Sequence, residues 1–401
     1  SYSALHADGS HSGQRDIASF SLSEQKQFLF FPTVEDGFSG QVVVNTMNHR
    51  KESFDTEYGA KATLDAAKHS TIHVQAVHPE DNVGTNLADE LTPLNYYTIL
   101  SDEEPASVYT NANLRSFRIT QPLQINMEND SLHMRFYSPV GIKEVTVMAK
   151  SPTMDEYVEF VYIDNIPAFA DIKTSIKVLE KGLYRTESGK IQQLSAEEIN
   201  PASLSLKISC NDLYWTKISQ IKAKWYIKFV LNGGNPVTGV PNNNWWGIRP
   251  VHCREAVALY LNIGYMCTLE KFQQRVSTFQ GTLLDNNRYP IDTSTIIPKL
   301  ENLSGFDIGL VYSGNGVSGL GGGRTWGVYQ KSFLYHYENS GGCCSTIFHE
   351  LGHCLGYNHN STMTYGKWAS GCADVFYKNN IKDFPVNSHT ILKSRSNPNI
   401  Y

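Results

Sequence analysis

Two histidines and a glutamate lie close together in this chain, at a spacing that suits metal binding. His349 and His353 are four residues apart, so on a helix both side chains project from one face, one turn apart. Two imidazoles placed in this way can bind a single zinc ion. Glu350 directly follows the first histidine, which places its carboxylate beside the metal, where a bound water would lie. These residues predict a metal ion together with a general base.

A third metal ligand is predicted from the residues that follow. Gly356 permits the positive φ angle that ends a helix, and the chain can then turn back and present His359. Some zinc sites take a glutamate from a later helix instead, but the 51 residues after Glu350 contain no glutamate. Three neutral imidazoles leave a fourth position open for water, which is typical of a catalytic zinc site. The alternative is an amphipathic helix that carries its histidines by chance.

The stretch from His349 to His359 resembles the signature of the metzincin clan of zinc metallopeptidases. That signature is His-Glu-x-x-His-x-x-Gly-x-x-His followed by a turn that contains methionine. Residues 349–359 match every fixed position of it. The zinc ligands and the general base that the resemblance implies are His349, His353, His359 and Glu350.

The Met-turn implied by the resemblance is Ser361–Tyr365, in which Met363 packs beneath the metal as an apolar cushion. Its Ser-x-Met-x-Tyr form looks like the astacin and serralysin branches of the clan. In those branches the tyrosine lies near the zinc and helps to stabilise the transition state. Only three residues separate His359 from Met363, whereas most of the clan has a longer loop. Tyr365 is therefore either a catalytic residue or a packing residue.

The resemblance also implies that an edge strand above the cleft binds substrate as an added antiparallel strand. Gly327 to His336 has the alternating pattern of a strand and is the candidate for this edge. His336, near its end, is a further candidate for the cleft lining. The glycine-rich stretch 313–327 lacks the Lys-Ser/Thr of a phosphate-binding loop. We interpret its glycines as flexibility or as a close approach of the backbone to a ligand.

The region that must position the motif has alternating strand and helix patterns. Trp225–Leu231 and Phe306–Tyr312 are short apolar runs typical of strands. Two helices are predicted over Val251–Gly264 and Thr268–Phe279, where apolar residues recur at helical spacing. We therefore predict an α+β, metzincin-like catalytic domain over residues 206–401.

The first 165 residues are rich in strand patterns and poor in helical ones. Along Leu132–Phe136 apolar residues alternate with polar ones, and the alternation resumes along Val145–Ala149. Short strands separated by turn residues favour an Ig-like β-sandwich region, of one or two modules. The polar stretch 166–205 is the predicted junction. The chain is thus expected to be multidomain, with an all-β region over 1–165.

Composition excludes several classes of protein. With 401 residues, 41% of them hydrophobic and 18% charged, the chain has the composition of two or three folded domains. A formal net charge of −5 and the lack of a long basic run argue against nucleic acid or an anionic membrane as partner. The longest mostly apolar stretch, 256–267, is too short to span a bilayer. We expect a secreted or cell-surface protein whose signal segment is not present in this chain.

All seven cysteines lie in the second half of the chain. Since no Cys-x-x-Cys pair occurs, they predict no second zinc site. They are either disulfide partners or small apolar core residues, and Cys343 or Cys344 with Cys372 is one pairing that would brace the motif helix. Cys354, next to a predicted ligand, is expected to face away from the metal into the core.

These patterns predict a zinc-dependent endopeptidase that hydrolyses peptide bonds of extracellular proteins with a metal-activated water. The strand-rich N-terminal region would then bind or position the protein or peptide substrate. Two alternatives stay open. One is a glycan- or protein-binding surface adhesin with a latent metallopeptidase domain, and the other is a protease directed at glycoproteins such as mucins.

Overall fold

The structure is a computed structural model that describes residues 95–387, with gaps at 102–104, 110, 177, 179–180, 232–239 and 338–342. Nearer the N-terminus it describes four strand segments, at 4–6, 40–45, 51–55 and 74–76. The chain divides into two units, Ser1–Thr71 with Ile391–Asn397 and Ile72–Thr390 with Pro398–Tyr401.

The first unit contains a small antiparallel sheet. Its strands are β1 (Ala4–His6), β2 (Gly40–Asn45) and β3 (Lys51–Asp55), and β2 is the central one. Three consecutive valines occupy β2, and β-branched residues are favoured in strands.

The second unit begins with a succession of strands and continues with a mixture of helices and strands. Its strands are β4 (Val74–Ala76), β5 (Asn95–Thr98), β6 (Ser116–Arg118), β7 (Leu123–Glu128), β8 (Ser131–Phe136), β9 (Ile142–Lys150), β10 (Val158–Ile166), β11 (Ala170–Ser175), β12 (Lys181–Arg185), β13 (Ile191–Ser195), β14 (Ser205–Cys210), β15 (Tyr226–Leu231), β16 (Trp245–Trp246), β17 (Gly305–Val311), β18 (Gly319–Gly322) and β19 (Thr325–Tyr329).

The helices of the second unit lie mostly in its C-terminal half. They are α1 (Ala106–Tyr109), α2 (Leu213–Ile218), α3 (Pro250–Thr268), α4 (Glu270–Ser277), α5 (Ile296–Glu301), α6 (Gln330–Leu334), α7 (Cys343–Cys354) and α8 (Val375–Asn380), with a π-helical stretch at Lys367–Asp374. Among the described residues, no helix is both long and apolar enough to cross a membrane.

Two four-stranded antiparallel sheets form the N-terminal part of this unit. Their strand orders are β14-β9-β10-β4 and β5-β11-β8-β7. The predicted alternation along Leu132–Phe136 is confirmed, since Leu132, Met134 and Phe136 are buried while His133 and Arg135 are partly exposed. Apolar residues of both sheets belong to one hydrophobic cluster. The fold is mixed α/β with open sheets in the described residues, and the Ig-like sandwich stays a prediction.

A mixed sheet of parallel and antiparallel strands carries the C-terminal part. Its strand order is β18-β19-β17-β15-β6, and β16 pairs with β17. The strands β15, β17 and β19 run parallel, while β18 and β6 are antiparallel to their neighbours. The long helix α3 is buried along most of its length. Its Tyr260 packs among Trp225, Phe306 and Trp326 of this sheet region. The predicted helices and buried strands of this half are confirmed, with α3 longer than expected.

Two strand pairings join residues from both sides of the predicted junction 166–205. β14 pairs with β9, and β6 pairs with β15. The domain boundaries at 165 and 205 stay predictions, but the hydrogen bonds of these sheets already cross them.

The prediction of an edge strand over Gly327–His336 is wrong. β19 ends at Tyr329 and the chain continues as the helix α6, in which Ser332, Phe333 and Leu334 are buried in succession rather than alternately, as in a strand with one exposed face. β19 is also an interior strand, paired on one side with β17 and on the other with β18. The edge strand on this side of the sheet is β18, which lies within the glycine-rich stretch.

Candidate metal centre

The helix α7 places two of the predicted ligands side by side. His349 and His353 lie on one face, with their Nε2 atoms 3.2 Å apart. The helix ends at Cys354, and Gly356 follows with a φ of +91°, the left-handed conformation that glycine adopts most easily. The chain turns there and brings His359 Nε2 to 3.0 Å from His353 Nε2. The predicted role of Gly356 at the bend is confirmed.

Hydrogen bonds to backbone carbonyls orient two of the three imidazoles. The Nδ1 of His353 donates to the carbonyl of Tyr357 at 2.7 Å, and the Nδ1 of His349 donates to the carbonyl of Thr364. A carbonyl oxygen only accepts, so Nδ1 carries the proton and the lone pair of Nε2 is left for a ligand bond. In metal-binding histidines, the ring nitrogen that does not bind the metal usually donates a hydrogen bond of this kind.

The three imidazoles fit a single metal ion. Their ligand atoms all lie within 4.8 Å of one another, and three nitrogens bound tetrahedrally to zinc at 2.0–2.1 Å would be roughly 3.4 Å apart. Burial lowers the pKa of His349 and of His353, and the neighbouring imidazoles lower both further. Low pKa values favour the neutral imidazole, which is the form that binds metal. His349, His353 and His359 can therefore hold a metal ion.

The carboxylate of Glu350 is buried next to this centre. One of its oxygens lies 3.9 Å from His349 Nε2, and the residue is only 3% exposed. Burial raises the pKa of Glu350 to about 8. A carboxyl group with a pKa in this range can exchange a proton near neutral pH.

Glycines of the edge strand β18 allow it to lie directly against Glu350. A Cβ atom on Gly319 would overlap the Glu350 carboxylate, and one on Gly321 would lie 2.5 Å from the Glu350 carbonyl oxygen. Atoms this close would force the strand away from α7. The backbone of the glycine-rich stretch thus lies close to another part of the molecule, as its composition suggested. That part is the motif helix α7.

The turn after His359 packs under the motif helix in a similar way. Met363 is fully buried, and a Cβ atom on Gly352 would lie 2.6 Å from the Met363 carbonyl oxygen. The hydroxyl of Ser361 accepts a hydrogen bond from the Met363 amide at 3.0 Å. Gly352 occupies the second variable position of the His-Glu-x-x-His motif. Glycine is the one residue small enough there for this turn to pack against the helix.

Tyr365 lies beside the histidines. Its ring centre is 4.8 Å from that of His349 and 5.2 Å from that of His359, and the side chain is 54% exposed. An exposed hydroxyl-bearing ring next to the ligands is placed to meet a bound molecule. Its catalytic role stays a prediction.

A segment that the sequence did not single out supports the turn that carries His359. The side chain of Asn286 donates to the Gly356 carbonyl at 3.1 Å and accepts from the Asn358 amide at 2.8 Å. Two positions earlier, the backbone of Leu284 forms two hydrogen bonds with Thr362: its amide donates to the Thr362 hydroxyl at 2.7 Å, and its carbonyl accepts from the Thr362 amide at 3.1 Å. Residues 284–286 therefore brace both sides of His359. The only sequence signal is the Asp-Asn-Asn composition typical of a turn.

The interpretation of His336 as a cleft residue is wrong. It is 1% exposed, and its Nδ1 lies 3.0 Å from the hydroxyl of Tyr377 in the core. It is buried because α6 replaces the strand that was expected to carry it to the cleft.

The cysteines of the described region follow the core interpretation. Cys354 faces away from the histidines, as expected, and its thiol donates to the Thr325 carbonyl at 3.2 Å. Burial raises its pKa to about 12. Cys372 is a buried free thiol, which favours the core alternative over the disulfide alternative for this residue. The side chains of Cys343 and Cys344 lie outside the described residues.

The histidines and Glu350 open into a cleft of about 710 Å³, which we call the metal cleft. The rest of its lining comes from residues 316–321, Ser345 and Thr346 of α7, Thr364, Tyr365, and Ala369 and Ser370 of the π-helical stretch. A volume of this size suits a ligand or a short peptide segment.

Comparison of this chain with known protein families, with curated proteins and with solved structures found no match.

Proposed function

We propose that this chain is a zinc-dependent endopeptidase of the metzincin clan, acting on extracellular proteins. The observation that carries the proposal is the convergence of three imidazole Nε2 atoms beside a buried glutamate in an open cleft. A closed structural site would have a fourth protein ligand. Among the described residues, His349, His353 and His359 are the only such group of potential ligands.

Zinc held by the three histidines would polarise the scissile carbonyl and lower the pKa of a water to about 7. Glu350 accepts a proton from the attacking water and passes it to the leaving amine nitrogen. Burial disfavours the ionised form of this carboxyl group, and a cation held by the histidines, of which His349 Nε2 lies 3.9 Å away, would favour it again. Tyr365 would donate a hydrogen bond from its hydroxyl to the oxyanion that forms at the carbonyl.

The edge strand β18 supplies the surface for the substrate backbone. One of its edges pairs with β19, and Gly319, Leu320 and Gly321 line the metal cleft. A peptide added antiparallel to β18 would place its carbonyls close to Glu350. β18 thereby takes the role first expected for Gly327–His336.

The test compares the full chain with Glu350→Gln on casein and on a mucin, with the zinc content of both proteins measured by mass spectrometry. We expect Glu350→Gln to keep its zinc and to lose about 10²–10⁴-fold in cleavage rate, as removal of a general base does. Glu301→Gln is the matched control, because Glu301 is also partly buried with a raised pKa but lies outside the metal cleft.

Equal cleavage by the wild type and Glu350→Gln would remove Glu350 from the mechanism. A zinc-loaded wild type that cleaves neither substrate would overturn the endopeptidase proposal and favour the adhesin. Cleavage of mucin without casein would restrict the substrate class to glycoproteins.

A further inference from the structure

A second cleft lies at the opposite end of the mixed sheet, where β6 and β15 meet β7 and β8. Its volume is about 480 Å³, and none of its lining residues belongs to the metal cleft. β6 and β18 are the two ends of the strand order, so four steps of about 4.8 Å, roughly 19 Å, separate them across the sheet. We call this the polar cleft. Its lining consists of two arginines (Arg118 and Arg135), three amides (Asn113, Gln121 and Gln124) and two hydroxyls (Ser116 and Tyr226).

The charge of this lining is unlike that of the whole chain. Two of its seven residues are arginines and none is acidic, whereas the chain carries a formal net charge of −5. Every lining side chain is a hydrogen-bonding group, and none is aliphatic. A cleft with these properties attracts an anion and disfavours an apolar ligand.

Neighbouring side chains hold Arg118 and Tyr226 in place. The Cζ atom of Arg118 lies 5.3 Å from the centre of the Tyr226 ring, a cation–π distance. The hydroxyl of Tyr226 is 2.8 Å from the hydroxyl of Ser116. The guanidinium and the two hydroxyls therefore already face the cleft before any ligand binds.

Arg135 is held from two sides. Its Nη2 donates to the Leu114 carbonyl at 2.9 Å, and its Nε lies 3.1 Å from an Asp171 carboxylate oxygen. A guanidinium has five N–H donors, more than these contacts use. The other oxygen of Asp171 lies 2.7 Å from His133 Nε2, so this acid is engaged on the side of β11 and is not part of the cleft lining.

We propose that the polar cleft binds an acidic sugar residue. The arginines would bind its carboxylate or sulfate group, for which the guanidinium is the most favourable partner. The amides and hydroxyls would bind its ring hydroxyls. A volume of 480 Å³ lies within the range of small-molecule sites. An acidic peptide is the less favoured ligand, because the lining is mostly polar and offers little apolar surface for the rest of a peptide.

The experiment is titration calorimetry of the full chain with glucuronate, and with glucose as the neutral match. We expect glucuronate to bind with a Kd on the order of 1 mM and glucose to bind at least tenfold more weakly. Arg118→Gln should weaken glucuronate binding about tenfold or more, as loss of a charged hydrogen bond does. Arg118 is exposed, so the variant should fold. Arg288→Gln, at an exposed position outside the cleft, should bind like the wild type.

Three further titrations separate the possible ligands. If glucosamine 6-sulfate binds as tightly as glucuronate, the result supports the proposal and shows that the cleft also accepts a sulfate group. Inorganic sulfate or a tetraglutamate peptide binding more tightly than either sugar would overturn the sugar assignment. Equal binding of glucose and glucuronate, or no effect of Arg118→Gln, would overturn the role of the arginines. No binding of either acidic sugar at tens of millimolar would overturn the site. Glu350→Gln should leave glucuronate binding unchanged, so this result is independent of peptidase activity.

Discussion

The two clefts lie at opposite ends of the same sheet and are built in opposite ways. The metal cleft is lined largely by backbone and small residues, with glycines at 319 and 321 against Glu350. The polar cleft is lined by polar side chains from four strands and two connecting segments, spread in sequence from Asn113 to Tyr226. The geometry of the metal cleft depends on how closely backbone segments pack, whereas ligand binding in the polar cleft should depend on charge.

This difference determines what each site tolerates. In the metal cleft, histidine positions are set by hydrogen bonds to the carbonyls of Tyr357 and Thr364, so backbone shifts change the ligand geometry directly. In the polar cleft, long side chains can adjust to a shift but respond to salt and to the loss of a neighbouring charge. Substitutions can test each half of this comparison.

The largest effect is expected from adding a methyl group where the metal cleft is tightest. Gly352→Ala places a Cβ atom 2.6 Å from the Met363 carbonyl oxygen, and Gly321→Ala places one 2.5 Å from the Glu350 carbonyl oxygen. Overpacking of this kind costs about 1–3 kcal/mol. We expect both variants to lose stability by that amount in chemical unfolding.

The two glycine variants should differ in zinc affinity. Gly352 supports the turn after His359, so Gly352→Ala should weaken zinc binding as well as stability. The three atoms nearest to a Cβ on Gly321 are the carbonyl oxygen, Oε2 and Cα of Glu350, so Gly321→Ala should lower the cleavage rate more than it lowers zinc affinity. A Gly352→Ala protein with unchanged stability and zinc affinity would mean that the turn is not held by this contact.

A smaller effect is expected at Asn286, which braces the turn from outside. Asn286→Ala removes the hydrogen bonds to Gly356 and Asn358, so His359 should sample positions away from the other ligands. Supporting residues of metal sites contribute about 10–100-fold to affinity, and we expect a loss near the lower end, about tenfold, in competition with a chelating dye.

The matched control for Asn286 is Asn302→Ala. Asn302 is exposed, and its side chain donates a single hydrogen bond to the Pro298 carbonyl at 2.8 Å, far from the ligands in sequence. Asn302→Ala should therefore lose a similar hydrogen bond while its zinc affinity stays equal to that of the wild type. Equal zinc affinities of the two variants would show that Asn286 does not position His359.

The ligand cluster could be predicted from sequence because its geometry is local. His349 and His353 share a helix face by spacing alone, and Gly356 and His359 follow within six residues of His353. The long helix α3 and the buried strands β15 and β17 could also be predicted from local signals, the helix from its periodicity and the strands from their short apolar runs.

The edge strand could not be predicted in this way. β18 contains three glycines in four residues, a composition that resembles a loop. It becomes a strand because it pairs with β19 and lies on α7, and both contacts are tertiary. The brace at Asn286 joins residues 70 and 72 positions apart, and the polar cleft collects residues from four strands. Neither leaves a periodic signal in the sequence.

The smallest effect is expected next to the polar cleft, from the charges on the β7–β8–β11 sheet. A hydrogen bond from Lys173, followed by one from His133, lowers the pKa of Glu128 to about 2. Because this folded value lies below the ordinary 4.5, the stabilisation is present above about pH 4.5 and is lost as the pH falls towards 2.

Lys173→Met should therefore lower Tm slightly at pH 6, by at most about 2 °C because the pair is exposed, and this difference should vanish near pH 2. The difference should also shrink in high salt, whereas the Tm loss in Gly352→Ala should not. A Lys173→Met difference that persists at pH 2 would mean that packing, not charge, governs this side of the sheet as well.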